Sequence, residues 1–94
     1  MHLDQVVARS PQTASRIIDG EAVVLTADDS TFRVFNPVGT RIWDLLASPS
    51  MVRQIAAQIC AEFEVAETQA QRDVVAFLQE LAAKGMVTLA PQQE

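Results

Sequence analysis

Catalysis by unaided side chains needs a nucleophile beside a base, a set of metal ligands, or paired acids held in a cleft. The 94-residue chain offers one histidine, His2, and one cysteine, Cys60. A lone imidazole beside the N-terminus leaves no Ser-His-Asp or Cys-His arrangement to assemble. One thiol and one imidazole also fall short of a zinc set. Cys60 follows Ile59 in an amphipathic segment, where a small buried hydrophobe is its expected role. Asp28-Asp29-Ser30 is expected to be a solvated turn, because a calcium loop needs many more oxygen ligands in a fixed order. Glu62, Glu64 and Glu67 are dispersed along a helix junction and are expected to form a solvated face. There is no Gly-rich phosphate cradle and no nucleotide signature. The expectation is therefore no catalytic residue, no metal site and no cofactor: a chain that binds rather than one that transforms.

Composition narrows what it could bind. Twelve acidic residues against seven basic ones give a formal net charge of −5. The basic residues are spread from Arg9 to Lys84 with no run among them, so a nucleic-acid backbone is an unfavourable partner. The apolar fraction of 49% with 20% charged residues is that of a globular chain. No apolar stretch approaches a membrane span, and no signal-peptide core opens the chain. With a cysteine that cannot pair internally, these features predict a cytoplasmic protein without a membrane partner.

The elements that must position any binding residues can be read from periodicity. Residues 1–12 are weakly patterned and are expected to be a flexible or extended arm. Residues 13–90 are expected to form the domain, and 91–94 a tail. Ser15–Ile18 reads as a strand ending at Asp19-Gly20, a strong hairpin signal. Glu21–Thr26 and Thr31–Phe35 follow as strands, completing an antiparallel meander. The period then becomes helical. Asn36 can cap a helix with Pro37 at its first position, and Ser48-Pro49 stops it. Gly39 is a poor residue so early in a helix, and a close backbone approach would explain it.

The second helix, starting from Ser48 or Ser50, carries Val52, Ile55, Ala56, Ile59 and Phe63 on one face. The third, with Thr68 and Gln71 as a capping-box pair or an earlier start, carries Ala70, Val74, Phe77, Leu78 and Leu81. Gly85 after Lys84 closes it, and Met86–Leu89 is extended. The expected class is α+β: a three-stranded antiparallel β-meander followed by a three-helix winged-helix-like bundle.

In that architecture the strand Thr31–Phe35 has an edge that a peptide could extend. Its alternation sends Phe32 and Val34 one way and Thr31, Arg33 and Phe35 the other. Arg33 is central in an otherwise apolar strand and could pair with an acidic group on a ligand. On the third helix Gln71, Val75, Gln79 and Ala82 flank the apolar stripe. They could form a groove wall or the ordinary edge of an amphipathic helix.

The run Phe35-Asn36-Pro37-Val38-Gly39-Thr40-Arg41-Ile42-Trp43-Asp44-Leu45-Leu46 resembles the passage "strand, then L-N-x-x-A/G-x-x-I/L-W-x-L-L" of the PqqD family. The Phe63-Glu64-Val65 junction, the helix around Asp73-Val74-Val75 and Phe77-Leu78, and the Gly85-Met86-Val87 ending are similar too. The likeness covers roughly residues 13–89. It implies a recognition domain for ribosomally made precursor peptides. In that family the leader segment of the precursor adds beside the third strand, lies against the third helix, and is presented to a modifying enzyme. In the PQQ pathway that enzyme is a radical SAM protein.

Carried onto this chain, the resemblance implies peptide-binding positions at Thr31, Arg33 and Phe35 on the strand. On the third helix it implies Gln71, Arg72, Val75 and Gln79. The PQQ-pathway member has a longer, more aromatic and basic first-strand region, whereas Thr13–Asp19 contains no aromatic residue, which places the chain nearer a paralogue. The alternatives are a winged-helix nucleic-acid-binding regulator and a structural or dimerisation subunit. A homodimer through exposed strand edges is a further expectation.

Overall fold

The computed structural model describes residues 1–27 and 32–90. The expected turn at Asp28–Ser30, Thr31 and the tail 91–94 lie outside the described residues.

The meander consists of β2 (Thr13–Ile18), β3 (Glu21–Thr26) and β4 (Phe32–Val34), in that spatial order. Asp19 and Gly20 connect β2 to β3 with φ of 53° and 81°. Two successive positive φ values match the right-handed strand twist in a two-residue hairpin. Ile18 then faces Glu21, and the register runs on to Thr13 opposite Thr26. Ala22 and Val24 point inward and are buried, while Leu25 on the other face is exposed.

Three helices follow: α1 (Pro37–Leu45), α2 (Val52–Phe63) and α3 (Glu67–Ala83). Asn36 caps α1 as expected, its side chain accepting from the Gly39 N–H at 2.8 Å. Helix α2 does not begin on a serine. Ser50 and Met51 form a short strand, β5, and the Met51 N–H is satisfied by Gln54 Oε1 at 3.2 Å. Helix α3 starts from Ala66, so Thr68 lies inside its first turn rather than at the cap. It ends in a Schellman arrangement. Gly85 takes φ 72° and donates to the Ala82 carbonyl at 3.1 Å, while Met86 donates to Leu81 at 2.9 Å.

A second sheet is absent from the periodicity reading. Strand β1 (Val6–Arg9) lies between β5 and β6 (Val87–Leu89), antiparallel to both. Only Val7 in β1 is fully buried, so the strand shows no alternation that a reading of residue types could detect. Arg9 on β1 also finishes α1. Its Nε and Nη2 donate to the Trp43 carbonyl at 3.1 and 2.6 Å, and its guanidinium stands 4.7 Å from the Trp43 ring centroid. The same carbonyl also accepts the Leu46 N–H at 3.1 Å, so Arg9 adds a charged donor to an acceptor at the helix end. Partial burial draws the Arg9 guanidinium down from its ordinary value, with the Asp44 charge acting against that.

The core joins both sheets to the helices. Val7, Ala22, Val24 and Phe35 meet Ile42, Trp43 and Leu46 of α1 and its end, together with the apolar stripes of α2 and α3. Those stripes are the expected ones: Val52, Ile55, Ala56 and Ile59 on α2, and Ala70, Val74, Leu78 and Leu81 on α3. Cys60 is half-buried and donates weakly to the Val65 carbonyl. No helix among the described residues is long and apolar enough to cross a membrane.

Candidate functional site

Strand β4 pairs with β3 along one side, through Val34 with Val23, Arg33 with Val24 and Phe32 with Leu25. It is last in its sheet, and among the described residues its other side has no strand partner. Backbone donors and acceptors on such a side are available to an added strand. The alternation is as read from the sequence. Phe32 and Val34 lie on the outer face, 64% and 50% exposed, while Arg33 and Phe35 turn toward the helices.

The inward residues meet α3. Arg33 forms an ion pair with Glu80. Its guanidinium carbon lies 5.9 Å from the Phe35 ring centroid, and its Nη1 is buried without a hydrogen-bond partner. Phe35 is 2% exposed and packs edge-on against Trp43 and Phe77, with centroids 5.8 and 5.1 Å apart. It is therefore the floor of the β4–α3 cleft and has no surface to offer a ligand directly. Just beyond β4 the cleft opens into a hollow of about 260 Å³ lined by Asn36, Val38, Gly39, Ile42, Asp73 and Phe77. Gly39 is needed there, because a Cβ would come within 3.0 Å of the Phe77 ring and 3.2 Å of the Phe35 Cβ.

The helical positions expected from the resemblance are arranged differently around α3. Residues advance by about 100° each around an α-helix. Asp73, Phe77 and Glu80, the residues that meet β4, Phe35 and the hollow, share one face. Gln71 and Val75 are half-buried on the far side of the buried stripe from that face. Arg72 and Gln79 are exposed on the solvent side, beside Val75 rather than beside the face that meets β4. The structure thus brings Arg33 and Phe35 together at α3 and leaves Gln71, Arg72, Val75 and Gln79 off the helix face that meets β4. Thr31 is outside the described residues.

The α3 residues that face β4 and the hollow are Asp73, Phe77 and Glu80, none of them among the positions the resemblance implied. In the sequence Phe77 belongs to the apolar stripe of the third helix, and Asp73 and Glu80 stand off that stripe. Their spacing of four and three residues was a usable signal. Choosing their face over its neighbour required the register of β4 against α3, which is set by tertiary packing.

The polar chemistry nearby is structural. Arg41 reaches Asp44 through Nη1 at 2.6 Å and Glu62 through Nε and Nη2 at 2.8–3.0 Å, tying α1 to α2. Those hydrogen bonds, with a smaller contribution from Gln58, hold the Glu62 carboxyl below its usual range. Among the described residues no group of three potential metal-ligating side chains comes together.

Comparison with known proteins agrees with this architecture. No curated protein sequence matches the chain. The solved structure "TbiB1 in complex with the TbiA(beta) leader peptide" is 33% identical, with a TM-score of 0.80 over 93% of this chain and 99% of that one. A "lasso peptide synthetase B1 complexed with the leader peptide" shares the fold at 23% identity and TM-score 0.79, over 87% of this chain and 96% of the other. So does the PqqD portion of Methylobacterium extorquens PqqCD, described as a stand-alone recognition element for ribosomally synthesised and post-translationally modified peptides. It is 16% identical with TM-score 0.73 over 88% of both chains. The family described as coenzyme PQQ synthesis protein D (PqqD) matches residues 21–87, most of the length, and the chain belongs to that family.

Proposed function

We propose that this protein binds the leader segment of a ribosomally synthesised precursor peptide and presents it to a modifying enzyme, without catalysing a reaction itself. The observation that carries this is the open side of β4 beside α3. It occurs in a chain that is one-third identical, over nearly its whole length, to a protein solved with a leader peptide. A leader laid there gains main-chain hydrogen bonds from β4, and its side chains facing inward meet Arg33, Glu80 and the hollow at Phe77.

The modifying partner is a peptide-modifying enzyme, of the radical SAM class if the pathway is like that of PQQ, and the setting is cytoplasmic. Two copies could also associate through the exposed apolar face of Leu25, Phe32 and Val34. Light scattering over a concentration series reads that association directly. A nucleic-acid reading is disfavoured, since Glu67, Asp73 and Glu80 are among the exposed residues of α3.

The test is an amide-shift titration of the labelled protein with synthetic leaders from precursor genes neighbouring its own. Shifts concentrated in β4 and α3 are expected. Unchanged β4 and α3 signals for every such leader would overturn the proposal.

A further inference from the structure

The cleft between β4 and α3 has a fixed internal register, and that register defines what a bound strand must carry. This inference rests on the strand-addition reading above and specifies its ligand. Along the cleft Arg33 meets Glu80, Phe35 meets Phe77, and Asn36 shares the hollow with Asp73. From Glu80 to the middle of the Asp73–Phe77 pair is five helical residues, a rise of about 7.5 Å. Two residues of strand cover about 6.6 Å and place their side chains on one face. A strand on the free side of β4 therefore presents one inward side chain to Arg33. Its neighbour two positions away faces the apolar walls of Val38, Gly39, Ile42 and Phe77.

Arg33 has capacity for a second anion. Glu80 occupies Nη2, and Nη1 is enclosed without an acceptor. Leaving a charged donor unpaired away from water is costly, so an acceptor delivered there is favourable. Arg41 in the same chain shows the completed form, with Asp44 on Nη1 and Glu62 on Nε and Nη2. The Arg33 side chain retains 29% exposure, so its long stem can turn Nη1 toward the free side of β4.

The geometry points to a defined class of peptide ligand: segments carrying Asp or Glu two positions from a bulky apolar residue. The carboxylate pairs with Arg33 and the apolar side chain fills the hollow beside Phe77. Charge and shape are then read together, and neither residue alone satisfies both halves of the cleft.

A randomised displayed-peptide library selected on the full-length protein tests this. Enrichment of an acidic residue two positions from Leu, Ile, Met or Phe, in either order, is expected. An enriched peptide and its acid-to-amide version are then titrated against the wild type and Arg33→Gln. Either single change should weaken binding about tenfold, the scale of one charged hydrogen bond, and the two together should lose little more than either alone.

Arg33→Lys, which keeps the charge but not the fork, should fall between wild type and Arg33→Gln and guards against misfolding of the glutamine variant. Enrichment of peptides that shift β4 and α3 amides yet lack the acidic residue overturns this inference and leaves leader binding standing. Strictly additive losses in the cycle overturn it equally. Failure to enrich any peptide that shifts those amides overturns the peptide-binding reading itself, and this inference with it.

Discussion

Phe35 and Phe77 meet edge to face, with ring centroids 5.1 Å apart and planes at 79°, and Gly39 lies directly against that contact. The pair sets how far β4 stands from α3. Edge-on aromatic contacts contribute about 0.5–1.5 kcal/mol beyond simple burial. The glycine lets helix α1 come close enough to seal one end of the pair.

Gly39→Ala should therefore destabilise the protein, although alanine is the better helix residue by about 1 kcal/mol. The added methyl meets a ring and a side chain held in the core, and overpacking of this kind costs about 1–3 kcal/mol. Chemical denaturation reads the effect as a lower midpoint with an unchanged slope. A midpoint at or above the wild-type value would show that Phe77 gives way freely.

The Arg41 hydrogen bonds lower the Glu62 pKa in the folded state, with Gln58 adding to the effect. A depressed carboxyl contributes stability above its unfolded pKa and loses it as pH falls through the folded one. The α1–α2 tie should thus weaken only below the ordinary glutamate range. A side-chain carboxyl titration followed by NMR should place Glu62 below free glutamate, and Arg41→Met should return it upward. The group is on the surface, so the global stability change should be slight.

Glu64 ends α2 in the left-handed region, at φ 55°. That conformation costs a side-chain-bearing residue about 1–2 kcal/mol, against the greater freedom glycine has to lose. Glu64→Gly should raise stability by about 0.5–1 kcal/mol, with Glu64→Asn giving a smaller gain. Thermal unfolding is the readout, and a lowered transition for both variants would contradict the account.

Arg9→Met keeps most of the apolar stem but removes the two hydrogen bonds to the Trp43 carbonyl and the charge over the indole. A cost of about 1.5–3 kcal/mol is expected from losing a charged donor at a half-buried helix end. Hydrogen exchange should show the last turn of α1 and strand β1 opening more readily. Uniform exchange across the fold would argue against this local role.

The elements that sequence periodicity exposed were those whose own residues carried the signal. Asp19-Gly20 determined a hairpin, Asn36-Pro37 a helix start and Gly85 a helix end, each through local backbone chemistry. The apolar stripes of α2 and α3 were legible because a buried helix face repeats. Strand β1 was not, since its one fully buried residue gives no alternation and its pairing with Ser50–Met51 and with the extended Val87–Leu89 is set by tertiary packing. At the site, Arg33 and Phe35 were recognisable from strand alternation. Glu80 and Asp73 looked like solvent decoration because only the packing of α3 on β4 decides which side of the helix is covered.

Strand β1 pairs through Val7 with Leu89 and through Arg9 with Val87, contacts that join nearly opposite ends of the sequence. Closing so long a loop has a high entropic cost that local contacts cannot share. Contacts of such separation also slow folding. During synthesis Val6–Arg9 can meet β5 once Ser50–Met51 have emerged, but its ladder to β6 stays open until residues 87–89 have left the ribosome. The meander and helices can form earlier, but Arg9 reaches Trp43 only from a strand that β6 holds in place. Strand β6 thus completes the end of the first helix by way of β1.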